Sequence, residues 1–308
     1  MAQHHPSCAL RFALQSDSCP AWDALTLISN VFHFPVRALL ALGLCTLLAA
    51  CGGGDTGFPP VVTGFQAQTL QYGRTATLLV GGNDLRKSMT ADMGEACTSP
   101  SFGASSTTSL MVINCKVVQL GDMTLTLKDA AGQVVYQTTL NVPKPQVQLK
   151  TSSGNITLEL DPVAAPLSVN NFLGYVNSGF YAKTLFHRVI AGFMAQGGGF
   201  TTGMVQKTGL KDPIALESQN GLKHLRGTVA MARTDVPNSA TSQFFINLVD
   251  NAFLNYQSAN SPGYAVFGTV VSGMEVVDSM ATQSTTTVNG YANVPVSDIT
   301  INSASQIR

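Results

Sequence analysis

Hydrophobic and polar positions change rhythm along this chain, and each rhythm predicts a different kind of element. From Ala38 to Ala50 thirteen residues, "ALLALGLCTLLAA", carry no charge. Further on, "RTATLLVGG", "SLMVINCKVV", "DMTLTLKD" and "QVVYQTTLNV" are short β-branched or alternating runs parted by Gly, Asp and Ser turns, a pattern that predicts strands. Met123, Leu125 and Leu127 alternate with Thr124, Thr126 and Lys128 as a half-buried strand requires, and "DAAG" at 129–132 supplies a hairpin turn. Residues 65–142 are therefore read as a small all-β unit, an immunoglobulin-like sandwich. "NVPKPQ" at 141–146 marks its boundary with two prolines.

A second unit, 146–305, opens with a hairpin in "VQLKTSSGNITLEL", where Val147 and Leu149 face Ile156, Leu158 and Leu160. Pro166 starts a helix whose Val169, Phe172, Leu173 and Val176 fall at helical spacing, and Gly179 stands where a C-terminal cap belongs. A second helix is read in "GMEVVDSMA", with Val276, Val277 and Met280 on one side, and a last strand in "SDITINS". Strands outnumber helices, so this unit is mainly β.

The uncharged run is too short to span a bilayer with ease and suits the apolar part of an export signal. It ends in "LAAC", Leu48 to Cys51, which resembles the bacterial lipobox. That resemblance implies cleavage and lipidation at Cys51, with acyl chains holding the protein on a membrane. A plain secretory signal or a short anchor helix are the alternatives. Residues 1–51 are thus a signal segment and 52–64 a tether. Gly52 after the cysteine favours the outer membrane of a Gram-negative cell, facing the periplasm. Residues 1–35 hold two aspartates, three histidines and the single Trp22; this is unlike a signal's basic leader and suggests a start at Val31 or Val36. Cys8, Cys19 and Cys45 belong to the leader, which leaves Cys97 and Cys115 downstream. In an exported domain such a pair is expected as a disulfide adding about 3 kcal/mol, against the alternative of two buried thiols.

Composition narrows the functions. With 308 residues the chain has room for two folded units and an extension. Lysine plus arginine and aspartate plus glutamate number 17 each, and no basic run occurs, which argues against a nucleic-acid surface. Glycines 197–199 lack phosphate-loop spacing. No Ser-His-Asp or metal-ligand constellation emerges, so neither cofactor nor metal is expected.

One charge is oddly placed. In "LFHRVI" a period of two puts Arg188 with Phe186 and Ile190, and His187 with Val189. Arg188 therefore either snorkels at an edge or is held in a pocket for use. "TSQFFI" likewise sets Thr241, Gln243 and Phe245 on one face, a polar group beside a ring. Gly192 permits a bend that turns Phe193, Met194 and Gln196 toward one cavity. His187 is read as structural and facing away from Arg188, and His224 as a surface loop residue.

"FHRVIAGFMAQGGGF" at 186–200, "GTVAMARTDVPNSATSQFFINL" at 227–248 and "FLN" at 253–255 resemble, in this order, the cyclophilin-type peptidyl-prolyl cis-trans isomerases. The resemblance covers residues 146–303. It implies a closed eight-stranded antiparallel barrel with two capping helices. It also implies Arg188 as the catalytic residue, and Phe193, Met194, Phe245 and Leu254 as walls of a proline pocket. Gln196 and Gln243 would form its polar rim, Ala232, Arg233 and Thr234 the segment pairing with the substrate backbone, and Tyr264 a closing edge. Phe253, counted with the substrate-binding residues beside Leu254, stands where the eukaryotic relatives have tryptophan, so weak cyclosporin binding is expected. Ala191 and Gly199 also depart from the eukaryotic pattern, at positions matching no pocket residue, while Arg233 and Thr234 replace an Asn-Ala pair and bear on substrate preference.

Rotation about an X-Pro bond crosses a barrier of about 18–20 kcal/mol and takes tens to hundreds of seconds unaided. It needs no nucleophile, only a donor that favours the twisted amide, whose nitrogen gains lone-pair density. The partners expected are proline-containing polypeptides, acted on by a monomer on the membrane. A proline-binding chaperone without relevant turnover and an adhesin built on the sandwich are the competing functions.

Overall fold

The computed structural model describes residues 58–85 and 88–308, so the signal segment, Cys51 and the proposed start sites lie outside the described residues. The N-terminal unit has seven strands: β1 (Val61–Gln68), β2 (Thr75–Asn83), β3 (Thr90–Asp92), β4 (Cys97–Phe102), β5 (Leu110–Val117), β6 (Gly121–Lys128) and β7 (Val134–Val142). They form two antiparallel sheets, ordered β1-β2-β5-β4 and β3-β6-β7. Strict alternation buries Leu78 and Val80 of β2 and Met123, Leu125 and Leu127 of β6 in one core. The β6–β7 turn is the expected one: the Asp129 carboxylate accepts from the amides of Ala131 and Gln133, and Gly132 takes a φ of 79°. Cys97 and Cys115 are disulfide-bonded across the neighbouring β4 and β5, with Cα atoms 5.5 Å apart. β1 begins inside the stretch expected as tether, because the β-branched pair Val61–Val62 already pairs with Gly82 and Asn83.

The second unit runs β8 (Gln146–Thr151), β9 (Gly154–Leu160), α1 (Pro166–Asn177), β10 (Thr184–Ile190), β11 (Met194–Gly197), β12 (Phe200–Thr201), β13 (Val205–Gln206), β14 (Thr228–Met231), β15 (Phe244–Asn247), β16 (Val266–Ser272), α2 (Met274–Ala281), β17 (Thr285–Val288), β18 (Tyr291–Pro295) and β19 (Thr300–Gln306). Eight of these close an antiparallel barrel in the order β10-β11-β15-β14-β16-β9-β8-β19. Closure is made by Thr184 and Leu185 pairing with Ile301 and Thr300. The first hairpin has the expected register, Val147 opposite Leu158 and Leu149 opposite Ile156.

Helix α1 buries Val169, Phe172, Leu173 and Val176. Its N-terminus carries no capping side chain of its own; Glu217, far along the sequence, accepts from the amides of Leu167 and Ser168 at 2.9 and 2.8 Å, which suits the positive end of the helix. At the other end Gly179, at a φ of 71°, donates to Val176 O while the Phe180 amide donates to Tyr175 O. This is a Schellman closure, and the rings of Phe180 and Tyr175 pack 4.7 Å apart across it. In α2, Val277 and Met280 are buried and Val276 half-buried. The apolar core is continuous between the two units, and Gln306 of β19 donates to Tyr72 O at 3.0 Å.

Candidate active site

Two local irregularities build the site. The first is a bulge in β10: Phe186 pairs with Gly197 but Arg188 with Gln196, so His187 is an extra residue. A bulge re-aims side chains that a regular pleat would alternate. Phe186 and Val189 consequently both enter the main core, while Ile190 packs in a separate apolar cluster with Phe193, Met194 and Phe245. The expected sharing of one face by Phe186 and Arg188 is overturned for this reason. His187 does not face away from Arg188 either, since both line one cavity. The second irregularity is Gly192, whose φ of 68° lets the Phe193 amide donate back to Ile190 O. The chain thereby returns as β11 with Met194 and Gln196 beside Arg188.

The strands bring most of the expected residues together. A cavity of about 120 Å³ is walled by Phe193, Met194, Phe245 and Leu254, and Arg188, Gln196, Ala232, Arg233 and Tyr264 complete its lining. Through Arg188, Gln196, Ala232 and Arg233 it adjoins a larger groove of about 680 Å³ that holds Thr234 and Gln243. That groove also draws on Gln206, Leu210, Ser239 and Gly290 to Asn293, none of them singled out by the sequence. Phe253 lines neither. It lies on the short 3-10 turn Ala252–Leu254, which sends Leu254 inward and leaves Phe253 62% exposed, stacked on Phe193 at 5.6 Å.

Arg188 is half-buried and donates to Gln196 Oε1 at 3.4 Å; Gln196 donates in turn to Gln243 Oε1 at 2.9 Å. Among the described residues no carboxylate lines either cavity, so most of the guanidinium's donors are left for a ligand. Gly199 belongs to this arrangement, contrary to expectation: a Cβ there would lie 2.5 Å from Gln243 Cγ and Cδ. Arg233 is tied down, its Nε donating to Gly263 O at 2.9 Å and its guanidinium lying 4.6 Å over the Tyr264 ring. Tyr264 meets Phe245 edge-on at 5.6 Å.

Both histidines among the described residues are buried. The His187 ring packs on Phe200 at 4.7 Å with its Nδ1 unpartnered, and burial pushes its pKa down to about 4. It is a neutral packing group at neutral pH. His224 is no surface residue: it is 1% exposed behind the pocket wall, hydrogen-bonded through both ring nitrogens. A histidine between Lys223 and Leu225-Arg226 near a glycine resembles a solvated loop, and nothing local announces its burial. The one sequence signal was Asn247, a lone amide ending the apolar run Phe244 to Ile246.

Residues 146–306 match the family described as cyclophilin type peptidyl-prolyl cis-trans isomerase/CLD. Peptidyl-prolyl cis-trans isomerase A of Dickeya dadantii is 56% identical over 162 residues, 53% of this chain and 84% of that protein. Peptidyl-prolyl cis-trans isomerase B of Escherichia coli is 50% identical over 161 residues, 52% of this chain and 98% of that protein. Among solved structures, a cyclophilin-type isomerase of Cryptosporidium parvum is similar at a TM-score of 0.45 with 26% identity, covering 54% of this chain and 98% of that one.

Proposed function

This chain belongs to the cyclophilin-type peptidyl-prolyl cis-trans isomerases, and we propose that it acts on X-Pro bonds of exported polypeptides while lipid-anchored at Cys51. The observation that carries the site assignment is Arg188, a half-buried guanidinium at the edge of a small apolar cavity, without a carboxylate partner among the described residues. Phe193, Met194, Phe245 and Leu254 hold the prolyl ring. Arg188 then donates toward the prolyl nitrogen as the amide twists and its lone pair localises, a charge redistribution absent from the planar ground state. The guanidinium stays protonated throughout, and no covalent bond forms. Gln196 and Gln243 hold it in register from one side, and Ala232 to Thr234 offer backbone to the extended substrate.

Exchange of an Ala-Pro peptide, followed by NMR with the full chain and its Arg188→Ala variant, tests the site. Acceleration by the wild type that survives loss of the guanidinium would refute the role given to Arg188. The anchor reading rests on "LAAC" and the uncharged run before it. Cys51→Ser is expected to move the protein from the membrane to the soluble fraction, and a variant that stays on the membrane would refute lipidation as the anchor.

A further inference from the structure

Behind the wall of the pocket lies a closed polar network that the isomerase chemistry does not use. The His224 ring lies parallel to Phe245, 7° between planes and 5.7 Å between centroids. Its Nε2 is 3.2 Å from Tyr264 O and its Nδ1 3.2 Å from Asn247 Nδ2. Asn247 Oδ1 accepts from Asn251 Nδ2 at 2.8 Å, and that same amide donates to Phe193 O at 3.0 Å. One buried cluster thus reaches the backbone behind Phe193, the backbone of Tyr264 and the face of Phe245.

We propose that His224, acting through Asn247 and Asn251, is a positioning residue of the proline pocket: it holds the strand bearing Phe245 in register with the segments bearing Phe193 and Tyr264. The network itself sets the proton. Because Asn247 Oδ1 is taken by Asn251, its amide nitrogen faces the imidazole, and the second hydrogen of that nitrogen goes to Thr228 Oγ1 at 2.9 Å. Nδ1 must then accept, and the ring hydrogen sits on Nε2, donated to Tyr264 O. An imidazolium would oppose its Nδ1–H to the Asn247 amide. Flipping that amide would only move the conflict to Asn251.

The ionisable groups on the segments around His224 are Lys223, Arg226, Asp250, Tyr256, Tyr264 and, over the Tyr264 ring, Arg233. Arg226 is paired with Asp278 and its amide with Asp250, and Lys223 is exposed. None of their ionisable side chains hydrogen-bonds the imidazole; Tyr264 meets it only through its backbone carbonyl. Burial lowers the His224 pKa, the bond to Tyr264 O opposing it. Acid therefore opens the pocket only when the imidazole is forced to take a proton.

The inference rests on the pocket assignment above, and its test separates the two. Ala-Pro exchange is measured from pH 4.5 to 8 for the full chain, for His224→Phe, which keeps the stack and loses both hydrogen bonds, and for His224→Gln, a planar neutral group with donor and acceptor. His224→Phe is expected to raise KM about tenfold with kcat within about twofold, as for lost buried hydrogen bonds, and His224→Gln to recover KM to within about threefold of wild type. The wild type should show an acid rise in KM that His224→Gln lacks. An unchanged KM in folded His224→Phe, or an acid limb intact in His224→Gln, overturns the positioning role while leaving the isomerase assignment standing. If His224→Phe does not fold, the His224→Gln profile decides. A wild type without exchange would instead count against the pocket assignment.

Discussion

Strand β6 of the N-terminal unit and strand β10 of the barrel show two ways of using a pleated strand. In β6 alternation holds throughout: Met123, Leu125 and Leu127 are buried, Asp122 and Thr124 exposed, and the turn that follows is closed by its own aspartate. In β10 alternation fails at His187, and the failure puts an arginine and a histidine on one cavity. Strand β6, whose one register shift falls at its end beside the turn, between Leu127 and Lys128, keeps its alternation and is fully committed to packing. The irregular one spends ladder pairing to aim polar groups, which is where a fold is expected to break its local rules.

Two substitutions with opposite signatures separate the roles of these strands. Arg188→Ala is expected to lower kcat/KM for prolyl exchange by about 10²–10³, the usual loss for a preorganised donor, with little effect on thermal stability because the side chain is only half-buried. Leu125→Ala, a fully buried residue of β6, is expected to cost about 2–5 kcal/mol of stability and leave kcat/KM of the folded fraction unchanged. Denaturant melts and exchange kinetics on both variants check this. A destabilised Arg188→Ala with normal kinetics would erase the distinction.

His187 sharpens it from another side. Its folded pKa of about 4 lies below the ordinary value of 6.5 because the ring is buried. Between those two values the unfolded chain binds a proton that the folded chain refuses, so stability falls as pH drops from about 6.5 to about 4 and levels off below. The shift corresponds to about 3 kcal/mol at most. His187→Phe is expected to reduce the slope in urea melts taken between pH 7 and pH 4, leaving the share that buried His224 contributes in the same sense. An unaltered slope would mean that another group carries the acid sensitivity.

How far the sequence could be read follows from the same contrast. The hairpin of β8 and β9, the buried face of α1 and its Gly179 cap, and the β6–β7 turn were legible because each depends on residues a few positions apart. The pocket residues were legible through the motif resemblance, since period two alone misassigns Phe186 and His187. The bulge was hidden because it depends on how β10 registers against β11, which no spacing within β10 encodes. His224 was hidden because its burial is imposed by Asn247, Asn251 and Tyr264, all distant in sequence. Phe253 was misjudged because a single 3-10 turn decides which of two adjacent apolar residues points inward.

A subtler change at Gly199 tests whether the irregular strand needs its neighbours. Gly199 makes room for Gln243, which fixes Gln196, which in turn meets Arg188. Gly199 has no left-handed backbone requirement, so alanine is allowed there by conformation and opposed only by Gln243. The Gln243 side chain can swing away, losing its bond to Gln196 but causing no clash with backbone. Gly199→Ala is therefore expected to lower kcat/KM about two- to fivefold, the scale of one net hydrogen bond acting at second hand, with stability unchanged. Because the effect runs through Gln243, the double variant Gly199→Ala/Gln243→Ala should be no slower than Gln243→Ala alone. Additive losses would show that Gly199 acts on the site by a different route, and would leave Arg188 held by the bulge itself.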